Sequence, residues 1–108
     1  MTFFCLHPTK DYMSSESNEM SLVLYLSYGE FGALLTGDVE GDGEYEMMEC
    51  LANKKMNRRL TVLKVAHHGS AYSTPEELLT MLKPVYTIIS CGKNNSYGHP
   101  HEDLLLRL

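Results

Sequence analysis

The 108-residue sequence has no tryptophan and only three cysteines. Cys5, Cys50 and Cys91 are far apart and lack a C-x-x-C spacing, which argues against a disulfide framework and a zinc ribbon; we expect buried thiols. No apolar run reaches the roughly 18 residues of a membrane-spanning helix, and the apolar start at residues 1–6 is too short for a signal peptide. We therefore expect the chain itself to be soluble, without membrane contact of its own.

Basic residues are also few. The chain has nine Lys and Arg residues and 14 Asp and Glu residues, so its net charge is -5. This balance argues against a protein that holds nucleic acid through a broad basic surface, because phosphate binding depends on Lys and Arg. The basic cluster within residues 54–59 is interpreted as a solvated helix end. Any contact with DNA is therefore expected to be local.

The composition is that of a globular protein. Hydrophobic residues make up 44% and charged residues 21% of the chain, which excludes a disordered or fibrous protein. A chain of about 100 residues is long enough for one hydrophobic core and too short for two. We expect one domain over residues 1–108.

The first half of the chain is typical of β-structure. Residues 2–6 form a short apolar stretch, and the polar residues 7–20 indicate a loop. Residues 21–28 alternate, with Leu24 and Leu26 on one face and Val23 and Tyr25 on the other. Residues 31–36 are apolar again after Gly-Glu, which predicts a β-hairpin with a two-residue connection.

Helices and strands then alternate. The apolar spacing predicts a helix over residues 44–54, a strand over 60–66, and a second strand over 85–91 before a terminal Leu-rich helix. Between the strands, Thr74 and Glu77 fit a capping box with Pro75 at the first helical position. The predicted order is β, β, β, α, β, α, β, α, which indicates an α/β layered fold.

Candidate ligands follow three of the predicted strands. His67 and His68 follow one strand, His99 and His101 lie beyond another, and Asp38 follows a third. Loops at strand ends meet at one edge of an α/β sheet, so these residues are expected to converge. Imidazoles and a carboxylate bind first-row metals, with zinc or manganese the natural candidates.

Each motif also has a purely structural interpretation. Asp38 after a glycine is compatible with a simple turn. The Gly-His-Pro-His stretch that contains His99 and His101 is compatible with a rigid turn before the last helix. His7, which precedes a proline, is interpreted as structural.

Taken together, the motifs resemble a known family. L-L-T-G-D at 34–38, L-K-V-A-H-H-G-S at 63–70, S-C-G-K-N-N at 90–95 and Y-G-H-P-H at 97–101 occur in this order. They resemble the C-terminal half of the metallo-β-lactamase-like domain of the ComEC family of DNA internalisation (competence) proteins. The resemblance extends over nearly the whole chain.

The resemblance implies half of a four-layer αββα sandwich, a mixed sheet covered by helices, in a metal-dependent phosphodiesterase or nuclease. Asp38 would bridge or cap two divalent ions, zinc or manganese. One of His67 and His68 would be a further ligand, with His67 slightly favoured. His68, His99 and His101 would act as catalytic residues near the scissile phosphate of DNA. Two metals can activate water and stabilise the leaving oxygen, and a nearby histidine can assist its departure.

Half of the expected metal site is absent from this sequence. The family signature H-x-H-x-D-H does not occur, and N-E-M stands at 18–20 where many relatives have a histidine. We therefore expect no substantial nuclease activity from this chain alone. Expected partners are the missing N-terminal half of the domain and a second copy of the chain, since an uncovered apolar sheet face favours association. The resemblance places the parent protein in the bacterial cell membrane, with this domain extracytoplasmic.

Three alternatives stay open. The chain could be a complete interaction domain that kept the scaffold without the chemistry. It could be a hydrolase of the same superfamily that acts on a small acyl substrate, although the two histidine motifs fit the DNA-uptake group better. A Cys-His nucleophilic enzyme using Cys91 near His99 is disfavoured, because Cys91 falls inside a predicted strand without any sign of activation.

Overall fold

Five strands form one mixed sheet in the order β1-β2-β3-β4-β5. A computed structural model of the protein describes residues 1–56 and 58–108. The strands are β1 (Thr2–His7), β2 (Val23–Tyr28), β3 (Phe31–Leu35), β4 (Val62–Lys64) and β5 (Tyr86–Ile88). The helices are α1 (Asp42–Asn53), α2 (Glu76–Leu82) and α3 (Glu102–Arg107), with 3-10 turns at Asn18–Met20 and Ala66–Gly69. The predicted α/β class and element order are confirmed.

The sheet has an antiparallel and a parallel part. β1, β2 and β3 are antiparallel neighbours, whereas β3, β4 and β5 are parallel. The predicted hairpin is confirmed, with Gly29 at φ 56° in the connection between β2 and β3. Parallel strands require crossovers, and α1 and α2 lie in the two crossovers. The carboxyl ends of β3, β4 and β5 therefore lie at one edge of the sheet.

The core lies on one face of the sheet. Tyr25, Leu34 and Leu63 are cross-strand neighbours on this face and are almost completely buried. Helices α1 and α2 supply the opposing apolar side chains. The buried cluster consists of Leu6, Val23, Tyr25, Leu34, Val39, Met47, Met48, Leu51, Leu60, Leu63, Ala66, Leu78 and Leu82. One helix-covered sheet face is consistent with half of an α/β sandwich.

The opposite sheet face carries apolar side chains that remain exposed. Phe3, Tyr86 and Ile88 lie in the rows that alternate with the core rows, and each is more than half exposed. Leu35, in the same row as Ile88, is also exposed. This surface, defined by Phe3, Leu35, Tyr86 and Ile88, is called the open face below.

The predicted capping box is wrong. Pro75 is the N-cap residue of α2, and no side chain caps this helix. Thr74 lies at φ 55°, and its hydroxyl accepts a hydrogen bond from the Ala66 amide. Its own amide donates to the Glu44 carboxyl group. Bonds to distant parts of the chain therefore replace the local cap.

The expectation of buried cysteines is also wrong. Cys5 and Cys91 are exposed, and Cys50 is partly buried. Strand β5 ends at Ile88, so Cys91 lies beyond the strand in which the sequence placed it. His7, by contrast, is buried and bonds through Nε2 to the Glu19 carbonyl oxygen at 2.5 Å, as expected of a structural histidine.

The described residues contain no helix that is both long and apolar enough to cross a bilayer.

Candidate functional site

Side chains from three neighbouring strand ends meet at the carboxyl edge of the parallel strands. Asp38 follows β3, while His67 and His68 follow β4. Ser90 follows β5, and its carbonyl oxygen bonds His68. His99 arrives from the next loop, with its ring centroid 5.6 Å from that of His67. The structure thus brings Asp38, His67, His68 and His99 together.

His68 is held between two of these strand ends. Its Nδ1 lies 2.7 Å from the Ser90 carbonyl oxygen, and its Nε2 lies 3.2 Å from Asp38 Oδ1. A carbonyl oxygen only accepts hydrogen bonds, so Nδ1 carries the hydrogen. In the neutral ring the lone pair then lies on Nε2, the atom that faces Asp38. Both side chains are close to half exposed.

His67 has a different carboxylate partner. Its Nδ1 lies 2.8 Å from Glu40 Oε2, and both side chains are partly exposed. A carboxylate on one ring nitrogen fixes the orientation of an imidazole and leaves the other nitrogen available. The sequence slightly favoured His67 over His68 as a metal ligand, and it is His68 that lies beside the Asp38 carboxylate.

An unusual backbone turn directs the two histidines apart. His67 and His68 lie at φ 47° and 56°, in the left-handed region that costs a residue with a side chain about 1 to 2 kcal/mol. The His67 amide donates to Gly37 O, and the Ser70 amide donates to His67 O. The first bond holds the turn against the end of β3, and the second closes the turn itself. At Gly69 an added Cβ would lie 2.7 Å from Pro100 Cβ, so the turn also packs against the second histidine motif.

His99 lies in the middle of a stack of flat rings. Its plane is within 18° of the His68 plane and within 19° of the Tyr97 plane. Burial of the ring lowers the pKa of His99, and the neighbouring His101, His67 and His68 lower it further, while Asp38 raises it. His99 is therefore biased toward the neutral form, in which one ring nitrogen can accept a hydrogen bond.

His101 has a structural role in this arrangement. Its Nδ1 accepts a hydrogen bond from the Ala71 amide at 2.8 Å, and its Nε2 donates to the Tyr97 carbonyl oxygen at 3.0 Å. Both ring nitrogens are thus bonded to backbone groups. His101 joins the two histidine motifs, and its ring lies 4.7 Å from that of His99.

Asn95 organises the loop that carries His99. Its amide nitrogen donates to Gly92 O and His99 O, while its side-chain oxygen accepts from the Tyr97 and His99 amides. This one side chain therefore ties the loop together at four points. The sequence motif G-K-N-N-S-Y-G-H indicated a turn, but it gave no sign of which asparagine fixes it.

Four residues of the site were missed by sequence reasoning. They are Glu40, Ser90, Asn95 and Tyr97. Glu40 follows Asp38 by two residues, so the D-x-E spacing was a usable signal for a second carboxylate at the same strand end. Ser90 contributes only its backbone oxygen, which leaves no signature in the residue type.

The fit of a metal ion to these residues is partial. Metal–nitrogen and metal–oxygen bonds of about 2.0 to 2.2 Å allow two ligands of one ion to lie about 3 Å apart. The 3.2 Å between His68 Nε2 and Asp38 Oδ1 meets this condition. Within residues 1–56 and 58–108, however, no group of three or more His, Cys, Asp or Glu side chains is arranged to hold a metal ion.

The fold and the site together define an α/β protein with a histidine-carboxylate cluster at the carboxyl ends of its parallel strands. ComE operon protein 3 of Bacillus subtilis (strain 168) is 45% identical over 105 residues, which are 97% of this chain and 13% of that protein. Recombination protein 2 of Haemophilus influenzae is 37% identical over 91 residues, 84% of this chain and 11% of that protein. Competence protein ComA of Neisseria gonorrhoeae is 32% identical over 87 residues, 81% of this chain and 12% of that protein.

This chain is thus homologous to a segment of each relative, and it spans between 11% and 13% of their lengths. No protein-family model and no solved structure matches the chain. The resemblance to competence proteins is confirmed to this extent. The metallo-β-lactamase domain and the metal site stay predictions.

Proposed function

We propose that this chain is part of a metal-dependent phosphodiesterase domain that cleaves DNA during its uptake into competent cells. The observation that carries the proposal is the geometry of His68. A backbone oxygen fixes one ring nitrogen, and the other lies 3.2 Å from the Asp38 carboxylate. This geometry supports metal binding by His68, because metal-binding histidines donate their other ring N–H to a carbonyl oxygen or a carboxylate.

Asp38 and His68 are the proposed metal ligands. His67, held by Glu40, is the candidate third group, because its Nε2 is not the atom that bonds Glu40. Zinc or manganese bound here would activate water and stabilise the charge on the leaving oxygen of a phosphodiester. His99 would accept a hydrogen bond or proton near the phosphate, and His101 would hold the loop in position.

The proposed site needs ligands from outside this chain. Asp38 and His68 provide two, and the H-x-H-x-D-H segment is absent from the sequence. The open face is a surface on which the segment that carries this motif would pack. We therefore propose that a second segment of a longer, membrane-bound protein completes an extracytoplasmic nuclease domain, and that this chain alone has no substantial activity.

An interaction domain without chemistry is the second candidate. It is favoured by one observation, the lack of a three-ligand group among the described residues. The two candidates differ in metal binding. A retained half-site binds a divalent ion weakly, whereas an interaction domain without the chemistry is expected to bind none.

Metal binding by the purified chain tests the site directly. We expect calorimetric titration with zinc or manganese to show weak binding that Asp38→Ala and His68→Ala each reduce by about tenfold or more, with a smaller effect of His67→Ala. Asp11→Ala, which removes an exposed carboxylate in the loop after β1, is the matched control. Equal affinities of Asp38→Ala and the wild type would contradict the assignment.

Activity is tested by complementation. We expect manganese-dependent cleavage of DNA only when the chain is combined with a segment that carries H-x-H-x-D-H, and we expect Asp38→Ala to abolish it. Cleavage by the chain alone that depends on Asp38 would show that the site is completed without that segment, for example between two copies.

A further inference from the structure

A small pocket opens beside the proposed metal ligands, on the side of the His99 loop. Its volume is about 170 Å³. It is lined by His68, Cys91, Gly92, Asn95, Tyr97 and His99. The pocket lies outside the core and adjoins the proposed metal site, with which it shares His68.

Flat rings form one side of the pocket. Tyr97, His99 and His68 are stacked with nearly parallel planes, at centroid distances of 5.6 Å and 6.4 Å. Tyr97 is nevertheless 75% exposed. An exposed tyrosine that is already aligned with a stack of rings presents a π-face to a flat ligand at little cost in conformational entropy.

The Asn95 side chain fixes the loop that carries the Tyr97 and His99 rings. The Asn95 side-chain oxygen accepts hydrogen bonds from the amides of both Tyr97 and His99. The same loop carries Lys93, which is exposed and supplies a positive charge next to the pocket. A flat ring attached to an anionic backbone matches this combination of features.

We infer that the pocket binds one nucleobase of single-stranded DNA by stacking on Tyr97. Aromatic side chains are the usual platforms for single-stranded nucleic acid, and stacking on them tolerates any base sequence. The inference rests on the proposed function, because the pocket shares His68 with the proposed metal site. It goes further by naming Tyr97 as a substrate-binding residue and a nucleobase as the group that it contacts.

The test is a binding measurement without metal. The probe is a short single-stranded deoxyoligonucleotide with one 2-aminopurine among thymidines, at low salt and with a chelator, since the fluorescence of 2-aminopurine is quenched by stacking. We expect quenching by the wild-type chain. Tyr97→Ala should weaken binding about 5- to 150-fold, the equivalent of the roughly 1 to 3 kcal/mol that one base–aromatic stack contributes.

Two control variants sharpen the result. Tyr97→Phe keeps the ring and should bind within about twofold of the wild type. Tyr28→Ala removes an exposed tyrosine at the β2–β3 connection, at the opposite end of the strands, and should have no effect. Thermal unfolding of Tyr97→Ala should match the wild type, because the removed ring is mostly exposed.

Three results would overturn the inference. They are unchanged binding by Tyr97→Ala, equal competition by an abasic oligonucleotide of the same length, and no quenching up to millimolar protein. Failure of the proposed function looks different. Tyr97-dependent quenching would persist in the chelator while the complemented domain failed to cleave DNA with metal.

Discussion

Glu44 is a carboxylic acid in the core, with only 3% of its surface exposed. Its Oε1 accepts a hydrogen bond from the Thr74 amide at 2.6 Å, at the point where β4 and α2 are joined. Burial raises the pKa of Glu44 to about 7, and the charge of Glu40 adds to this effect, while the Thr74 amide and Arg107 oppose it. The neutral acid is therefore the form that suits the folded protein.

This shift predicts a pH dependence of stability. Between the ordinary pKa of 4.5 and the folded value of about 7, the folded state binds more protons than the unfolded state. The free energy of unfolding should therefore fall as pH rises through this window. Glu44→Gln keeps the bond to Thr74 and cannot ionise. Its free energy of unfolding, relative to that of the wild type, should therefore rise by about 1 to 3 kcal/mol between pH 4.5 and about pH 7.5.

Urea unfolding at several pH values measures the effect. Glu49→Gln, an exposed substitution on the same helix, should follow the wild-type pH dependence. If Glu44→Gln also follows the wild type, the folded protein tolerates the ionised carboxylate and the assignment is wrong.

At the scale of single residues, the sequence predicted which residues converge better than it predicted which of them contact each other. Placing Asp38 and the histidines at strand ends was enough to expect their convergence. Which histidine faces Asp38 was not predictable, because His67 and His68 are chemically identical neighbours. Their partners depend on two left-handed backbone positions and on the Ser90 carbonyl oxygen. The residue types alone indicate neither feature.

At the scale of elements, helix α1 begins against the 3-10 turn at Asn18–Met20. A Cβ added at Gly43 would lie 2.5 Å from the Glu19 carbonyl oxygen, closer than any real contact. In a helix free of such contacts, replacing glycine by alanine would stabilise by about 0.5 to 1 kcal/mol. Here we expect Gly43→Ala to destabilise by about 1 to 3 kcal/mol, because the backbone of the turn must move.

Chemical denaturation of Gly43→Ala tests this packing. Glu49→Ala changes an exposed position of α1 to the same residue and should be neutral or slightly stabilising. A stabilised Gly43→Ala would show that the turn yields easily and does not position the helix.

Element order was predictable because apolar periodicity dominates in this chain. The lengths of β4 and β5 were not, since the apolar stretches 60–66 and 85–91 continue beyond the three-residue parallel ladder. The capping box failed for a related reason. The Thr74 hydroxyl bonds to the Ala66 amide and the Thr74 amide bonds to Glu44 of helix α1, so neither group takes part in a local cap.

At the scale of the whole molecule, the two faces of the sheet differ. One is covered by α1 and α2, and the other is the open face of Phe3, Leu35, Tyr86 and Ile88. Exposed apolar side chains gathered on one sheet face are typical of an interface. In the proposed domain the complementary segment covers it. Without that segment, a second copy of the chain is the available partner.

Self-association should therefore depend on the open face and not on β5 as such. Ile88 lies on the open face, 52% exposed, while its neighbour Thr87 is exposed on the opposite face of the same strand. Ile88→Glu and Thr87→Glu add the same charge to adjacent positions, so general electrostatic repulsion between copies is equal in both. We expect sedimentation equilibrium to show association of the wild type that Ile88→Glu weakens by about tenfold or more and Thr87→Glu leaves nearly unchanged. Equal effects of the two variants would mean that charge or the strand edge controls association, and the open face would then need another explanation for its apolar side chains.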